Sequence, residues 1–126
     1  MEPTTRKICI VGLGRLGSSL LNSCLFKGGE FELSAGFDTN INRIEFLDSP
    51  VPLYPAYKME EVIKRFNIES ALLCVPAESA QTTLEKLAAA GIKGIINFSP
   101  LLLEAKEGVR VRNINVIDDL KALYQK

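Results

Sequence analysis

Three glycines stand where a main chain can approach a phosphate closely. Gly12, Gly14 and Gly17 form the pattern Gly-x-Gly-x-x-Gly directly after the apolar run 8–11. In a strand–turn–helix unit the first glycine permits the tight turn, the second lets the backbone approach a pyrophosphate, and the third lets the helix pack on the sheet. The amides that begin such a helix then face the phosphates. The spacing predicts a dinucleotide site rather than a tight turn without a ligand. The residues between the glycines complete this predicted turn: Leu13, Arg15 and Leu16.

An acid follows at the distance that such a site requires. Asp38 ends a second apolar segment, 31–37, and lies 21 residues beyond Gly17. At that spacing a carboxylate reaches the hydroxyl groups of the adenine ribose. No arginine immediately follows Asp38 and Thr39 to meet a 2′-phosphate, which the carboxylate would repel. These residues therefore predict NAD(H) rather than NADP(H).

The apolar pattern predicts strands that place these residues at one edge of a sheet. The segments 70–75 and 95–98 are continuous apolar runs, as expected of strands covered on both faces. The segment 109–113 alternates apolar and charged residues, which indicates a strand with one wet face or at an edge. Prolines frame the segment 51–54, so we expect only a brief or edge strand there.

Helical spacing separates these strands. We expect helices after the glycine turn, over 59–66, from about Glu78 or Ser79, and at the end of the chain, with at most a short one near 42–47. The first is predicted to carry Leu16, Leu20, Leu21 and Leu25; the last carries Ile117, Leu120, Leu123 and Tyr124. Six strands with helical crossovers predict an α/β fold: a doubly wound, mostly parallel sheet of the Rossmann type, as one domain over residues 1–126.

Two further segments are expected at the ligand crevice, because ligands of such sheets bind outside the carboxyl ends of the strands. Their prolines offer rigid walls and Phe98 offers a ring, although both prolines can also simply end strands. The predicted residues are Val75, Pro76 and Ala77 after one strand, and Asn97, Phe98, Ser99 and Pro100 after the next. Arg15 can meet a phosphate or stay in solvent.

Composition narrows the classes of function. The 15 basic and 15 acidic residues cancel, so no global field draws the chain to nucleic acid or to an acidic membrane. No apolar run is long enough to span a bilayer and the N-terminus lacks the apolar region of a signal peptide, so we expect a cytoplasmic protein.

Cys9, Cys24 and Cys74 are expected to be buried small hydrophobes rather than metal ligands or redox thiols. The chain has no histidine, so the commonest proton shuttle and metal ligand is missing, and we expect neither catalysis nor a metal site.

Five ordered motifs resemble the nucleotide-binding domain of the Rex family of redox-sensing repressors: GLGRLGSSLLN, FDTN, CVPAESAQ, GIKGIINFSP and GVRVRNI. The resemblance implies a homodimer that senses the NADH/NAD balance. It places Gly12–Gly17 on the pyrophosphate and Asp38 on the ribose, with the segments 75–77 and 97–100 beside the nicotinamide. It also implies a C-terminal helix that reaches into the partner subunit.

The chain departs from the family in two places. Only about seven residues precede the first strand, where Rex proteins carry a winged-helix domain, so we expect no direct DNA binding by this chain alone. Asn115 stands where the family usually has an acid that takes part in ligand-dependent switching.

Three classes of function remain open. The first is a non-catalytic NAD(H) sensor, the second a coenzyme A-binding domain, and the third a minimal NAD-dependent oxidoreductase subunit. Asp38 argues against coenzyme A, because its carboxylate suits a free ribose diol and repels a ribose phosphate.

Overall fold

A computed structural model describes residues 5–104 and 106–125 of the protein. Its strands are β1 (Arg6–Val11), β2 (Phe31–Asp38), β3 (Leu53–Pro55), β4 (Ser70–Leu73), β5 (Gly94–Asn97) and β6 (Arg110–Asn113). They form one sheet in the order β3-β2-β1-β4-β5-β6, and every neighbouring pair is parallel. This order confirms the predicted doubly wound Rossmann fold, whose switch point lies between β1 and β4.

In the described residues, five helices connect or follow these strands. They are α1 (Arg15–Leu21), α2 (Ile41–Phe46), α3 (Met59–Phe66), α4 (Ala77–Ala89) and α5 (Val116–Leu123), with a short 3₁₀ turn at Ala56–Lys58. No helix in the described ranges is long and apolar enough to cross a membrane.

Both faces of the sheet are covered by apolar side chains, and β1 contributes to the cluster on each face. Its side chains alternate: Cys9 and Val11 join a large cluster under α3 and α4, whereas Ile8 and Ile10 join a smaller cluster. Alternation with a period of two residues is what a strand between two layers requires. The larger cluster includes Val62, Ile63, Leu84 and Leu87 from the two helices, and the smaller one includes Leu13, Leu21 and Leu72.

Helix α1 is shorter than its apolar spacing predicts. It ends at Leu21, and Leu25 is exposed. Polar side chains at its end bind main-chain carbonyls instead: Asn22 Nδ2 donates to the Ser18 oxygen at 3.2 Å and Ser23 Oγ to the Leu20 oxygen at 2.8 Å. Such local bonds compete with helix continuation. The prediction that Cys24 is buried is wrong for the same reason, since Cys24 is exposed beyond the helix end.

Strands β4 and β5 also end earlier than predicted. Strand β4 ends at Leu73 and β5 at Asn97, so the segment 74–76 and Phe98 leave the sheet as loop. Helix α4 begins at Ala77, and Pro76 is its N-cap, where the missing N–H of proline costs no hydrogen bond within the helix.

The C-terminal helix forms as predicted, and no residue of α5 is buried. Asn115 caps it, because its side-chain oxygen accepts the Asp118 amide at 3.1 Å. Its apolar residues are Val116, Ile117, Leu120 and Leu123, followed by Tyr124, and all five are at least 47% exposed. In the described structure this stripe faces solvent rather than the chain's own sheet.

Candidate functional site

The turn between β1 and α1 needs glycine at its first position for its own geometry. Gly12 has φ +96°, and its amide donates to the Phe37 carbonyl at 2.8 Å. A Cβ at Gly12 would lie 2.5 Å from the carbonyl oxygen of Cys74. Positive φ and close approach to the segment that follows β4 both require the absence of a side chain.

Gly17 and Gly14 differ in what they face. A Cβ at Gly17 would overlap the carbonyl oxygen of Gly12, so this glycine lets α1 pack against the turn. Gly14 has φ −72°, which any residue adopts, and the nearest atom to a Cβ there is Arg43 Nη1 at 4.0 Å. The fold therefore requires glycine at positions 12 and 17 but not at 14. The bare backbone at Gly14 opens onto a cavity.

Asp38 links the end of β2 to the glycine turn. Its carboxylate is 5% exposed; Oδ2 accepts the Leu13 amide and Oδ1 accepts the Asn40 amide, each at 2.7 Å. Arg43 Nη1 also lies 3.3 Å from Oδ2. A buried carboxylate with charge-assisted bonds to two amides is firmly held, so Asp38 is fixed at the wall of the cavity beside the turn.

The cavity has a volume of about 390 Å³ and lies at the carboxyl ends of β1, β2 and β4. The structure brings six of the predicted residues together there: Gly12, Gly14, Asp38, Thr39, Val75 and Pro76. Sequence reasoning missed several others that line it: Arg43, Ala56, Met59, Cys74, Ser79, Thr83 and Lys86.

Two signals in the sequence point to part of this missed set. Ser79, Thr83 and Lys86 are spaced by four and three residues, so they share one face of α4. Asn40 precedes Arg43 by three residues, the spacing of a helix N-cap. In the structure its side chain accepts the Arg43 amide at 3.2 Å, which places Arg43 in the first turn of α2, near Asp38. Ala56 and Met59 come from the connection after β3 and carry no comparable pattern.

The remaining predicted residues lie outside this cavity. Leu13 and Gly17 are buried, whereas Arg15 and Leu16 are exposed. Ala77 begins α4, and Phe98 packs against the smaller apolar cluster. The contacts predicted between these residues and a ligand stay predictions.

Asn97 anchors the loop that follows β5. Its Nδ2 donates to the Leu101 oxygen at 2.7 Å and to Asn113 Oδ1 at 2.8 Å, while its Oδ1 accepts the Ser99 amide at 2.9 Å. Asn97 is 1% exposed, so these bonds satisfy a buried amide. Its side chain holds the loop carrying Ser99 and Pro100 against β6.

The cavity presents charged and hydrogen-bonding groups that are suited to binding. Burial raises the pKa of the Cys74 thiol to about 11 and that of Cys9 to about 12, so both are protonated at neutral pH. Among the described residues no group of three or more His, Cys, Asp or Glu side chains is placed to hold a metal ion. The cavity offers a bare glycine backbone, one carboxylate, and the cations Arg43 and Lys86, which suit phosphate and hydroxyl groups.

The sheet order and the glycine turn define a Rossmann-type domain. Residues 4–101 match the family model described as "CoA binding domain", and the chain belongs to this family. The predicted resemblance to Rex repressors is confirmed by relatives and solved structures.

The redox-sensing transcriptional repressor Rex of Ligilactobacillus salivarius is 34% identical over 97% of this chain and 57% of its own length. The crystal structure of RSP, a Rex-family repressor, in complex with β-NAD⁺ and operator DNA covers 95% of this chain and 55% of the repressor, with TM-score 0.85 and 31% identity. The same repressor in complex with β-NADH matches with TM-score 0.84 and 31% identity, over 95% of this chain and 58% of the repressor. The chain thus spans little more than half the length of these relatives.

Proposed function

We propose that this chain is an NAD(H)-binding, redox-sensing regulatory domain of the Rex type that acts without catalysis. The observation that carries the proposal is Gly14, a glycine that the fold does not require, beside a firmly held carboxylate. A bare backbone facing a cavity lets a pyrophosphate approach the amides of the turn. The complexes of the Rex-family repressor with β-NAD⁺ and β-NADH support the choice of ligand.

The proposed ligand pose follows the strand ends. The pyrophosphate lies along Gly12–Gly17, and the adenine ribose lies against Asp38 and Thr39. The nicotinamide lies across the switch point, between the segments 75–77 and 97–100. The bound cofactor supplies the redox state that is sensed, and the residues of this chain bind and orient it.

Binding should favour a free ribose diol. We expect calorimetry to give a dissociation constant for NADH at least about tenfold lower than that for NADPH, because a 2′-phosphate would lie beside the Asp38 carboxylate, which two amides hold in place. Arg43 offsets only part of this repulsion, since its charge is already paired with Asp38. Titrations with NAD⁺ and coenzyme A complete the comparison. Equal affinities for NADH and NADPH would contradict the assigned ribose contact. Tightest binding of coenzyme A would make the domain a coenzyme A receptor.

DNA binding, cellular location and catalysis need separate proposals, because the chain spans little more than half the length of its relatives. We propose that the chain by itself does not bind DNA, because its formal net charge is zero. We place it in the cytoplasm, as expected of a domain similar to bacterial transcriptional repressors. The absence of histidine supports a site without proton-transfer chemistry.

We also propose a homodimer that associates through α5, whose apolar stripe is uncovered in the described structure. Complete burial of one such side chain contributes roughly 1.5–3 kcal/mol before association costs. Replacing Leu120→Asp together with Leu123→Asp should therefore give a folded monomer in light scattering at high micromolar concentration.

A matched control for this prediction lies on the same helix. Ala122→Asp on the opposite side of α5, with Gln125→Asp just beyond its end, introduces the same charge at exposed positions and should leave the dimer intact. If the first double variant remains dimeric, or the wild type is already monomeric, α5 is not the interface.

A further inference from the structure

Arg43 lies between the two groups that define the proposed site. Its Nη1 is 3.3 Å from Asp38 Oδ2 and 4.0 Å from the position of a Cβ on Gly14. The side chain is 50% exposed and lines the cavity. The guanidinium therefore borders the space above the bare glycine backbone.

Asp38 does not depend on this ion pair. The amides of Leu13 and Asn40 already bond its two oxygens at 2.7 Å, and the longer contact to Arg43 is added to Oδ2. The Arg43 side chain is half exposed and stays hydrated when it moves, while the buried Asp38 carboxylate keeps its two amide donors. The guanidinium can thus leave the carboxylate at small cost, because both oxygens keep a strong donor.

The charge of the cavity favours an anion. Among the described residues that line it, Asp38 is negative and Arg43 and Lys86 are positive, and Cys74 is neutral at physiological pH. The sum is one positive charge before a doubly charged pyrophosphate enters. Arginine is well suited to this ligand, because its planar fork pairs with two phosphate oxygens at once.

We propose that Arg43 is a mobile phosphate-binding residue. On nucleotide binding its guanidinium moves from Asp38 to the pyrophosphate above Gly14, and the released position on Asp38 Oδ2 accepts a ribose hydroxyl. One side chain then couples recognition of the phosphates to recognition of the sugar. This inference rests on the proposed NAD(H) function and adds a specificity-determining residue to it.

The test compares ligands with and without phosphate in wild type and in Arg43→Ala. NADH and ADP-ribose should each lose about tenfold or more in affinity, as expected for a charge-assisted contact. Adenosine, followed by protein-detected NMR, should bind within about twofold of wild type or more tightly, because Asp38 is already released. Arg43→Lys should recover part of the affinity for ADP-ribose, since lysine keeps the charge and lacks the fork.

Arg65→Ala removes an equal charge from the exposed side of α3 and should change none of these affinities. The melting temperature of Arg43→Ala should stay within about 3 °C of wild type.

A wrong role for Arg43 and a wrong choice of ligand would give different results. Unchanged affinity for ADP-ribose in Arg43→Ala, or equal losses for adenosine and ADP-ribose, would overturn the inference and leave NAD(H) binding intact. A wild type that binds none of the three ligands would overturn the proposed function, and the inference with it.

Discussion

Gly17→Ala should leave little folded protein. The new Cβ would overlap the carbonyl oxygen of Gly12, and main-chain atoms cannot rotate away as a side chain does. The turn is held in place, because the Gly12 amide bonds to Phe37 in β2. We expect a loss of about 3–5 kcal/mol in the free energy of unfolding, a large part of the roughly 5–15 kcal/mol typical of a domain. Urea unfolding followed by circular dichroism measures this loss.

Ser19→Ala is the matched control, because Ser19 is an exposed position of the same helix and alanine is the better helix former. It should be neutral or slightly stabilising. A Gly17→Ala protein within about 1 kcal/mol of wild type would mean that α1 can shift away from the turn at little cost.

Gly14→Val, unlike Gly17→Ala, should leave the domain folded but should greatly weaken its binding of NADH. The φ of −72° suits valine, and no atom lies closer than 4.0 Å to the position of its Cβ. The side chain would fill the space proposed for the pyrophosphate and keep it from the amides of the turn. Loss of two charge-assisted hydrogen bonds, at roughly 1.5–3 kcal/mol each, predicts at least about a hundredfold weaker binding of NADH in calorimetry.

Gly29→Val makes the same chemical change at a remote loop glycine with open space around it, and should bind NADH as wild type does. If Gly14→Val also binds NADH normally, the bare backbone at Gly14 does not face the ligand. The two glycine variants together separate what the turn does for the fold from what it does for the ligand.

Much of the fold was predictable, because its signals are local. The alternation along β1 and the apolar runs of β4 and β5 reflect strands buried on both faces. Gly12 and Gly17 carry a steric requirement that acts within one strand–turn–helix unit. The order of the parallel strands then follows from right-handed crossovers and the usual doubly wound arrangement.

The parts that were missed depend on contacts between distant segments or on competition within one segment. The early end of α1 results from serine and asparagine side chains that bond to nearby carbonyls, an effect that apolar spacing does not report. The approach of Arg43 to Asp38 depends on how α2 is capped. The hydrogen bonds of Asn97 to Leu101 and Asn113 depend on how the loop folds back on β6, so the sequence pattern did not reveal this role.

The uncovered α5 has a consequence for the helix–coil equilibrium. An isolated helix of eight residues is marginal in water, because nucleation consumes most of what its few hydrogen bonds supply. None of its residues is buried, so packing against the rest of the chain contributes little to its stability. If α5 associates as proposed, its helical order rises with protein concentration by mass action. Circular dichroism of the C-terminal helix would then report that association.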